Sequence, residues 1–184
     1  MKNKGHTKHL TKVVDIREGL EMAPLMTKLA IDTYDKTYYE SWYFWVSIIT
    51  RSPETVLMIT DRSGENVYGY CVCLPMATKK FFINTKGEYF PNFALRPLNK
   101  DADKIKYLYI HDLCISKEIR DKGYGSLLIG KAIEASKKAY PNIKKAIGLS
   151  VNGSINFWER VGFKKSSLSV KYNGVDAYKI EKDI

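Results

Sequence analysis

The sequence predicts an α/β chain, in the looser sense α+β: one domain over residues 1–184, with a mixed central sheet of about seven strands flanked by about four helices. Three observations predict it. Tyr107 to Ala139 reads as a strand, the polar turn R-D-K-G-Y-G and a long apolar-faced helix, and the buried run Lys145 to Val151 follows, making a β-α-β crossover. Asn173-Gly174 between two further strand-like runs is the strongest short-range hairpin signal. The chain has 184 residues, 45% of them hydrophobic, and a domain of that size buries about 70% of its unfolded surface.

Taken in order, Met1 to Lys12 is polar and basic, and residues 1–11 are expected to be a flexible tail in which His6 and His9 have no assigned role. Lys12 to Arg17 alternates as a first strand. Gly19 breaks it, and Leu20 to Thr33 is a helix burying Leu25, Leu29 and Ile31. A second helix, about Lys36 to Thr50, carries Tyr38, Tyr39, Trp42, Tyr43, Phe44, Trp45, Ile48 and Ile49, so it is apolar on nearly every side. It must be covered all round or line a pocket, and aromatic packing on a sheet and a cleft for an apolar or aromatic substrate use the same composition. Pro53 ends it; Thr55 to Thr60 and Val67 to Met76 then form a hairpin across the turn residues Asp61 to Gly64. Between Ala77 and Lys104 the pattern breaks into an aromatic-rich insertion too long for an ordinary connection. Phe81, Phe82, Tyr89, Phe90 and Phe93 argue for a docked segment, a candidate substrate lid. After the central unit Pro141 closes the helix, Asn152 to Val161 is a short helix, and Phe163 to Tyr172 and Val175 to Glu181 are the last hairpin.

Composition removes several classes. The longest apolar run, Trp42 to Ile49, is far short of the roughly 20 residues that span a bilayer, and Met1 to Thr11 lacks a signal peptide's apolar segment, so no membrane partner is expected and a cytoplasmic protein is. Cys71, Cys73 and Cys114 make an odd count. They read as reduced and buried, and no cluster of Cys or His completes a metal site. The net charge of +10 favours acidic partners, but the lysines are scattered, which suits a solvated basic surface better than a nucleic-acid groove.

The turn from Arg120 to Gly125 is the centre of the chemistry. Gly123 and Gly125 let the backbone approach a ligand, the helix behind them offers unpaired N–H groups at its positive end, and Arg120 and Lys122 add charge. That describes a phosphate cradle, or a turn that only starts a helix. Its position at the C-terminal end of a strand is where ligands bind in open α/β sheets, and Leu127, Leu128, Ala132, Ala135 and Ala139 give the helix an apolar stripe.

At these residues the chain resembles the GNAT superfamily of acetyl-CoA-dependent N-acyltransferases. Its pattern R/Q-x-x-G-x-G/A, after a strand ending in an apolar residue five places before the arginine, is matched in register by Ile115, Arg120, Gly123 and Gly125. A second block, Asn152 to Phe163 (N-G-S-I-N-F-W-E-R-V-G-F), is similar to the family's short helix with an aromatic pair followed by G-F. The resemblance implies the GNAT fold, in which two parallel strands splay to hold CoA, and an acetyl transfer from acetyl-CoA to a primary amine of a small molecule, peptide or protein. It implies that the amides of Asp121, Lys122, Gly123, Tyr124, Gly125 and Ser126 hold the pyrophosphate with Arg120 nearby. The pantetheine arm would lie on Leu113, Cys114 and Ile115 beside a bulge, with Asn152 and Trp158 near the cofactor.

An alkyl ammonium with a pKa near 10.4 is mostly protonated at neutral pH, so a base is required. His111 is the candidate: its ordinary pKa of about 6.5 suits the task. Y-I-H-D-L-C-I also resembles the strand H-I-H-A-L-A-V of serotonin N-acetyltransferase, whose histidines are implicated in proton removal, with Tyr109 at the first histidine's place. The plainer alternative is a histidine satisfied within the sheet. Asp112 could orient His111, act as base itself or pair with a basic side chain. A backbone N–H near Cys114 would meet the oxyanion. Where many family members place a tyrosine as general acid the chain has Trp158, which cannot deliver a proton; Tyr124 and Tyr109 are the stand-ins. That departure keeps open a catalytically impaired acyl-CoA-binding module, and the charge keeps open a basic RNA- or ribosome-associated protein. The oligomeric state, a homodimer included, is open as well.

Overall fold

The computed structural model describes residues 10–184 apart from 14–15, 35–39, 79–80, 84–88, 92–101, 152 and 173. Tyr38, Tyr39, Phe93, Asn152 and the two tail histidines therefore lie outside the described residues, as does most of the insertion.

Nine strands and four α-helices are described, and seven of the strands form one sheet. The elements are β1 (Leu10–Val13), α1 (Ile16–Thr33), α2 (Trp42–Arg51), β2 (Val56–Thr60), β3 (Val67–Met76), β4 (Phe81–Ile83), β5 (Tyr89–Pro91), β6 (Tyr107–Ile115), α3 (Tyr124–Ala139), β7 (Lys145–Ser150), α4 (Ile155–Arg160), β8 (Lys164–Tyr172) and β9 (Val175–Asp183). The strand order is β1-β2-β3-β6-β7-β9-β8, with β4 and β5 forming a separate pair. Every neighbouring pair is antiparallel except β6 and β7, which α3 connects. The mixed sheet of seven strands and the four helices are those the sequence predicts.

The two faces carry separate cores. On one, α3 and α4 place Leu128, Ile129, Ala132 and Trp158 against Leu57, Ile59, Cys71, Cys73, Leu108 and Ile110. On the other, α1 and α2 place Met22, Met26, Trp45 and Ile49 against Val56, Met58, Tyr70, Val72 and Cys114. Strand β2 is buried from end to end because both faces are covered.

Several boundaries differ from expectation, each for a packing reason. The first strand ends at Val13, and α1 begins at Ile16 and runs through Gly19. The buried set Met22, Ala23, Met26, Leu29 and Ala30 recurs at helical spacing, and its burial outweighs the roughly 1 kcal/mol that glycine costs a helix. Ile31 falls off that stripe and is 47% exposed. In α2, Trp45, Ile48 and Ile49 are buried, but Trp42 and Tyr43 stack on each other at 3.7 Å between ring centroids and face outward, so the helix is not covered all round. Leu127 is likewise exposed, and Ile129 takes its place in the α3 stripe.

The C-terminal end of α3 is tied to the segment before β2. The Tyr140 hydroxyl donates to Glu54 Oε1 and meets Ser52 Oγ at 3.2 Å. Burial, with Glu54 adding to it, pushes the Tyr140 phenol from 10.0 up to about 12. The unfolded chain loses this proton first, so the contribution is intact below pH 10 and is lost as pH rises to about 12. The melting temperature of Tyr140→Phe is therefore expected to fall less steeply than wild type across that window, and equal slopes would remove the tie.

Candidate active site

The site is built on an irregularity in β6. Its register with β3 pairs Val72 with Asp112 and Cys73 with Ile110, which leaves His111 as one extra residue opposite none. The extra residue reverses the alternation of faces. Leu108 and Ile110 point to the α3 side, and after it Leu113 and Ile115 do, while Asp112 and Cys114 turn toward α1 and α2. From the same point β7 departs: β6 pairs with it only over Tyr107 to Ile110.

Two hydrogen bonds show which backbone groups the departure opens. Leu113 O accepts from the Tyr34 hydroxyl at 2.7 Å and Ile115 O from Arg120 Nε at 3.0 Å, whereas Ser116 N donates to Tyr68 O of the neighbouring strand at 2.7 Å. Backbone groups of alternate residues point to opposite edges of a strand, so Leu113 and Ile115 face the vacated edge and Cys114 faces β3. The expectation that Cys114 itself offers its backbone to a ligand is corrected accordingly; its neighbours Leu113 and Ile115 hold the open edge.

Asp112 is half-buried, and each carboxylate oxygen accepts a phenol: Oδ1 from Tyr34 and Oδ2 from Tyr70, both at 2.7 Å. Burial raises its pKa against the opposing pull of His111 and the two phenols. Burial and the Asp112 charge in turn push Tyr34 and Tyr70 well above 10.0. The carboxylate thus engages two hydroxyls, where a basic side chain was one expectation. Cys114, under the same strand, is raised to about 12 by burial and Asp112, so its thiol stays protonated and is no nucleophile at neutral pH.

His111 opens into a cavity of about 400 Å³ lined also by Glu40, Tyr109, Leu149, Val151 and Tyr172. Its ring lies 5.0 Å from that of Phe44, and Nε2 is 3.7 Å from Glu40 Oε1. Tyr109 is 2% exposed, and burial first, then Tyr172 and nearby acids, raise its pKa well above 10.0. A second cavity of about 580 Å³ runs along the glycine turn, lined by Ile115, Arg120, Asp121, Gly123, Gly125 and Ser126. The two linings share Thr33, Tyr34, Leu113, Arg120 and Phe157, so the cavities meet where β6 and β7 part.

The turn has the geometry its sequence requires. Gly123 at φ 83° caps α3 in the left-handed region with no side chain closing the helix N-terminus, and Asp121 is also left-handed at φ 59°. A Cβ on Gly125 would lie 3.1 Å from the Phe157 ring, so any side chain there would push the ring back by a few tenths of an ångström. Lys122 Nζ donates to Glu118 O at 2.8 Å, and neither Lys122 nor Tyr124 lines either cavity; Tyr124 packs on the α3-side core. Trp158 is 7% exposed, held edge-on between Phe157 and Phe163, with one side on the first cavity.

The structure thus brings together His111, Asp112, Tyr109, Leu113, Ile115, Arg120, Gly123, Gly125 and Trp158. Sequence reasoning missed Tyr34, Glu40, Tyr70 and Tyr172. Tyr34 and Glu40 both follow the end of α1, where a run of tyrosines offered a signal that spacing alone does not rank.

The site is thus a splayed parallel pair with an open backbone edge, a glycine turn at one end and a histidine-lined cavity at the other. The chain belongs to the acetyltransferase (GNAT) family, whose model matches residues 20–163. It is 27% identical over 142 residues, 73% of this chain, to an uncharacterized N-acetyltransferase of Methanocaldococcus jannaschii. It spans about half (52%) of the length of that curated relative. The fold is similar to one in the crystal structure of the NatC complex bound to Gag peptide and CoA, with a TM-score of 0.66, 18% identity, and 96% and 99% of the two chains covered. It is also similar to the loading GNATL domain of CurA from Lyngbya majuscula, with a TM-score of 0.70, 9% identity, and 96% and 98% covered. Among the described residues no helix is long and apolar enough to cross a membrane, and no group of three or more acidic, His or Cys side chains forms a metal site.

Proposed function

We propose that this chain transfers an acetyl group from acetyl-CoA to a primary amine of a peptide, protein or small molecule. The observation that carries the reading is the meeting of the two cavities at the splay, one floored by the glycine turn and the other holding His111. In this reading the amides from Asp121 to Ser126 and the Arg120 guanidinium hold the pyrophosphate, and the pantetheine arm lies along Leu113 and Ile115. The acceptor ammonium enters beside Glu40, whose carboxylate attracts it, and His111 takes its proton so that the free amine can attack the thioester carbonyl. The protonated Cys114 thiol favours direct transfer over an acetyl-enzyme. The insertion carrying β4 and β5 would close over the acceptor as a lid; β5 runs close to β8, whose last residue, Tyr172, lines the cavity. Three free cysteines and an acetyl-CoA substrate fit the cytoplasm. A module that binds CoA without turnover is the second reading, and Trp158 is the observation in its favour.

Thermal shift is the first test. Acetyl-CoA at 100-fold its dissociation constant is expected to add about 2.7 kcal/mol and raise the melting temperature by several degrees. The absence of any shift overturns both readings. An acetylation screen over amines and peptides then separates enzyme from module.

A further inference from the structure

Beside the His111 cavity lies a third cavity, of about 550 Å³, whose lining includes Lys164, Lys165, Lys179, Ser166 and Ser167. It adjoins the first through the sheet ladder at two places. Tyr109 of the His111 cavity pairs with Ile147 of this one, and Leu149 of the His111 cavity pairs with Lys179. Paired residues share a face of the sheet, as do alternate residues along a strand, so Ile147, Lys179, Glu181 and Lys164 all stand on the face that carries Tyr109. The cavity coincides with an irregularity in β8. Lys165 pairs with Ile180 and Ser169 with Tyr178, so Ser166, Ser167 and Leu168 stand opposite Lys179 alone and two residues fall outside the ladder. The charge there is positive. Lys165 Nζ is held 3.6 Å above the Tyr178 ring, and Lys164 has no ion-pair partner among the described residues. Glu181, the acid among the described lining residues, accepts from Lys145 Nζ at 2.9 Å, which offsets its charge.

We infer that the acceptor is an extended peptide chain bearing an anionic group, which Lys164 and Lys179 bind three to four residues beyond the reacting amine. The inference rests on the acetyl-transfer reading above and adds to it the charge pattern of the acceptor. Spacing sets the reach. Neighbouring strands lie about 4.8 Å apart, so β9 is about 10 Å and β8 about 14 Å from β6, where His111 stands. An extended peptide advances about 3.3 Å per residue and crosses that span in three to four residues. A free amino acid is too short to meet both ends. The anion is a carboxylate or a phosphoryl group, since the oxygens of either accept charge-assisted hydrogen bonds from an ammonium, and Ser167 adds a hydroxyl. The two ends of the face carry opposite signs: Glu40, 3.7 Å from His111 Nε2, attracts the ammonium, and the lysines attract the anion. That pattern fixes which way the chain lies across the sheet, and it repels a peptide with lysine in place of the acid. It also gives the net charge of +10, which favours acidic partners, a particular place to act.

The test is acetyl transfer by the full chain to short peptides with a free N-terminus that differ only at the fourth and fifth residues, which are Glu, phosphoserine, Gln or Lys. In wild type kcat/KM for the Glu peptide is expected to exceed that for the Lys peptide by about tenfold, with Gln between them and most of the difference in KM. A preference for Glu or for phosphoserine over Gln supports the inference, and the stronger of the two tells carboxylate from phosphoryl recognition. Lys164→Gln and Lys179→Gln should each lower the Glu-over-Lys ratio severalfold. Lys171→Gln removes the same charge from β8, but Lys171 pairs with Asp176 at 2.8 Å and lines none of the three cavities, so it should keep the wild-type ratio. Equal losses in all three variants would mean that only the general field of the protein acts, and the inference falls. Equal rates on the Glu, Gln and Lys peptides overturn it while leaving acetyl transfer itself standing. Acetylation of small amines but of no peptide rules out the extended acceptor. If wild type acetylates neither, the acetyl-transfer reading has failed and this inference with it.

Discussion

Replacing His111 by alanine is expected to lower kcat for acetyl transfer by about 10²- to 10⁴-fold while leaving acetyl-CoA affinity within a few-fold of wild type. The separation follows from the position of the side chain. His111 is the extra residue of β6 and lines the cavity proposed for the acceptor, while the cavity proposed for the cofactor is formed by the turn beyond Ile115. Its imidazole lies near Glu40 and against Phe44, within ring-contact range of Trp45 and Tyr109, so on the proposed reading the loss removes a group on the acceptor side and not the donor side. Steady-state kinetics with an accepted amine, paired with calorimetric titration of acetyl-CoA, checks both halves. Turnover equal to wild type from pH 6 to 9 would end the case for His111 as base.

The complementary result concerns the turn. Gly125→Val should weaken acetyl-CoA binding by about ten- to a hundredfold, since overpacking a tight contact costs typically 1–3 kcal/mol. The ideal Cβ already sits 3.1 Å from the Phe157 ring and 3.9 Å from Ile115 Cγ1, and the two methyls beyond it must displace the ring or fill the cofactor cavity. Either outcome acts on the donor side, so the KM for acetyl-CoA should rise much more than the KM for the amine. Affinity equal to wild type would show that the cavity along the turn is not where the donor lies.

Together the two variants divide the site along the line by which the sequence revealed it. Local signals carried the donor half. The β-α-β unit, the glycines in register with Ile115 and Arg120, and strand β3 from Val67 to Met76 are each readable within a few residues. The acceptor half depends on groups far apart in the chain. Asp112 meets Tyr34 across 78 positions and Tyr70 across 42, and nothing local ranks those two among the 13 tyrosines. Glu40 reaches His111 only because α1 and α2 pack on one face of the sheet. Where local rules did mislead, packing was the cause. Gly19 marks a break by propensity, yet the buried stripe from Met22 to Ala30 carries α1 through it. Trp42 and Tyr43 read as core by composition, yet they lie on the outer side of α2.

The bulge at His111 lets β6 carry one residue that its neighbour does not count. Leu108 and Ile110 before it, and Leu113 and Ile115 after it, face the same core because His111 stands outside the ladder between them. Deleting His111 would leave Ile110 and Asp112 consecutive opposite Cys73 and Val72, so every downstream side chain would keep its partner and its face. Asp112 would keep its two phenols, and the irregularity and the imidazole would be lost together. A residue proposed as the base is thus also the one that interrupts the strand. Exchanging its side chain and removing the residue are different experiments, the first aimed at turnover alone and the second also at the bulge.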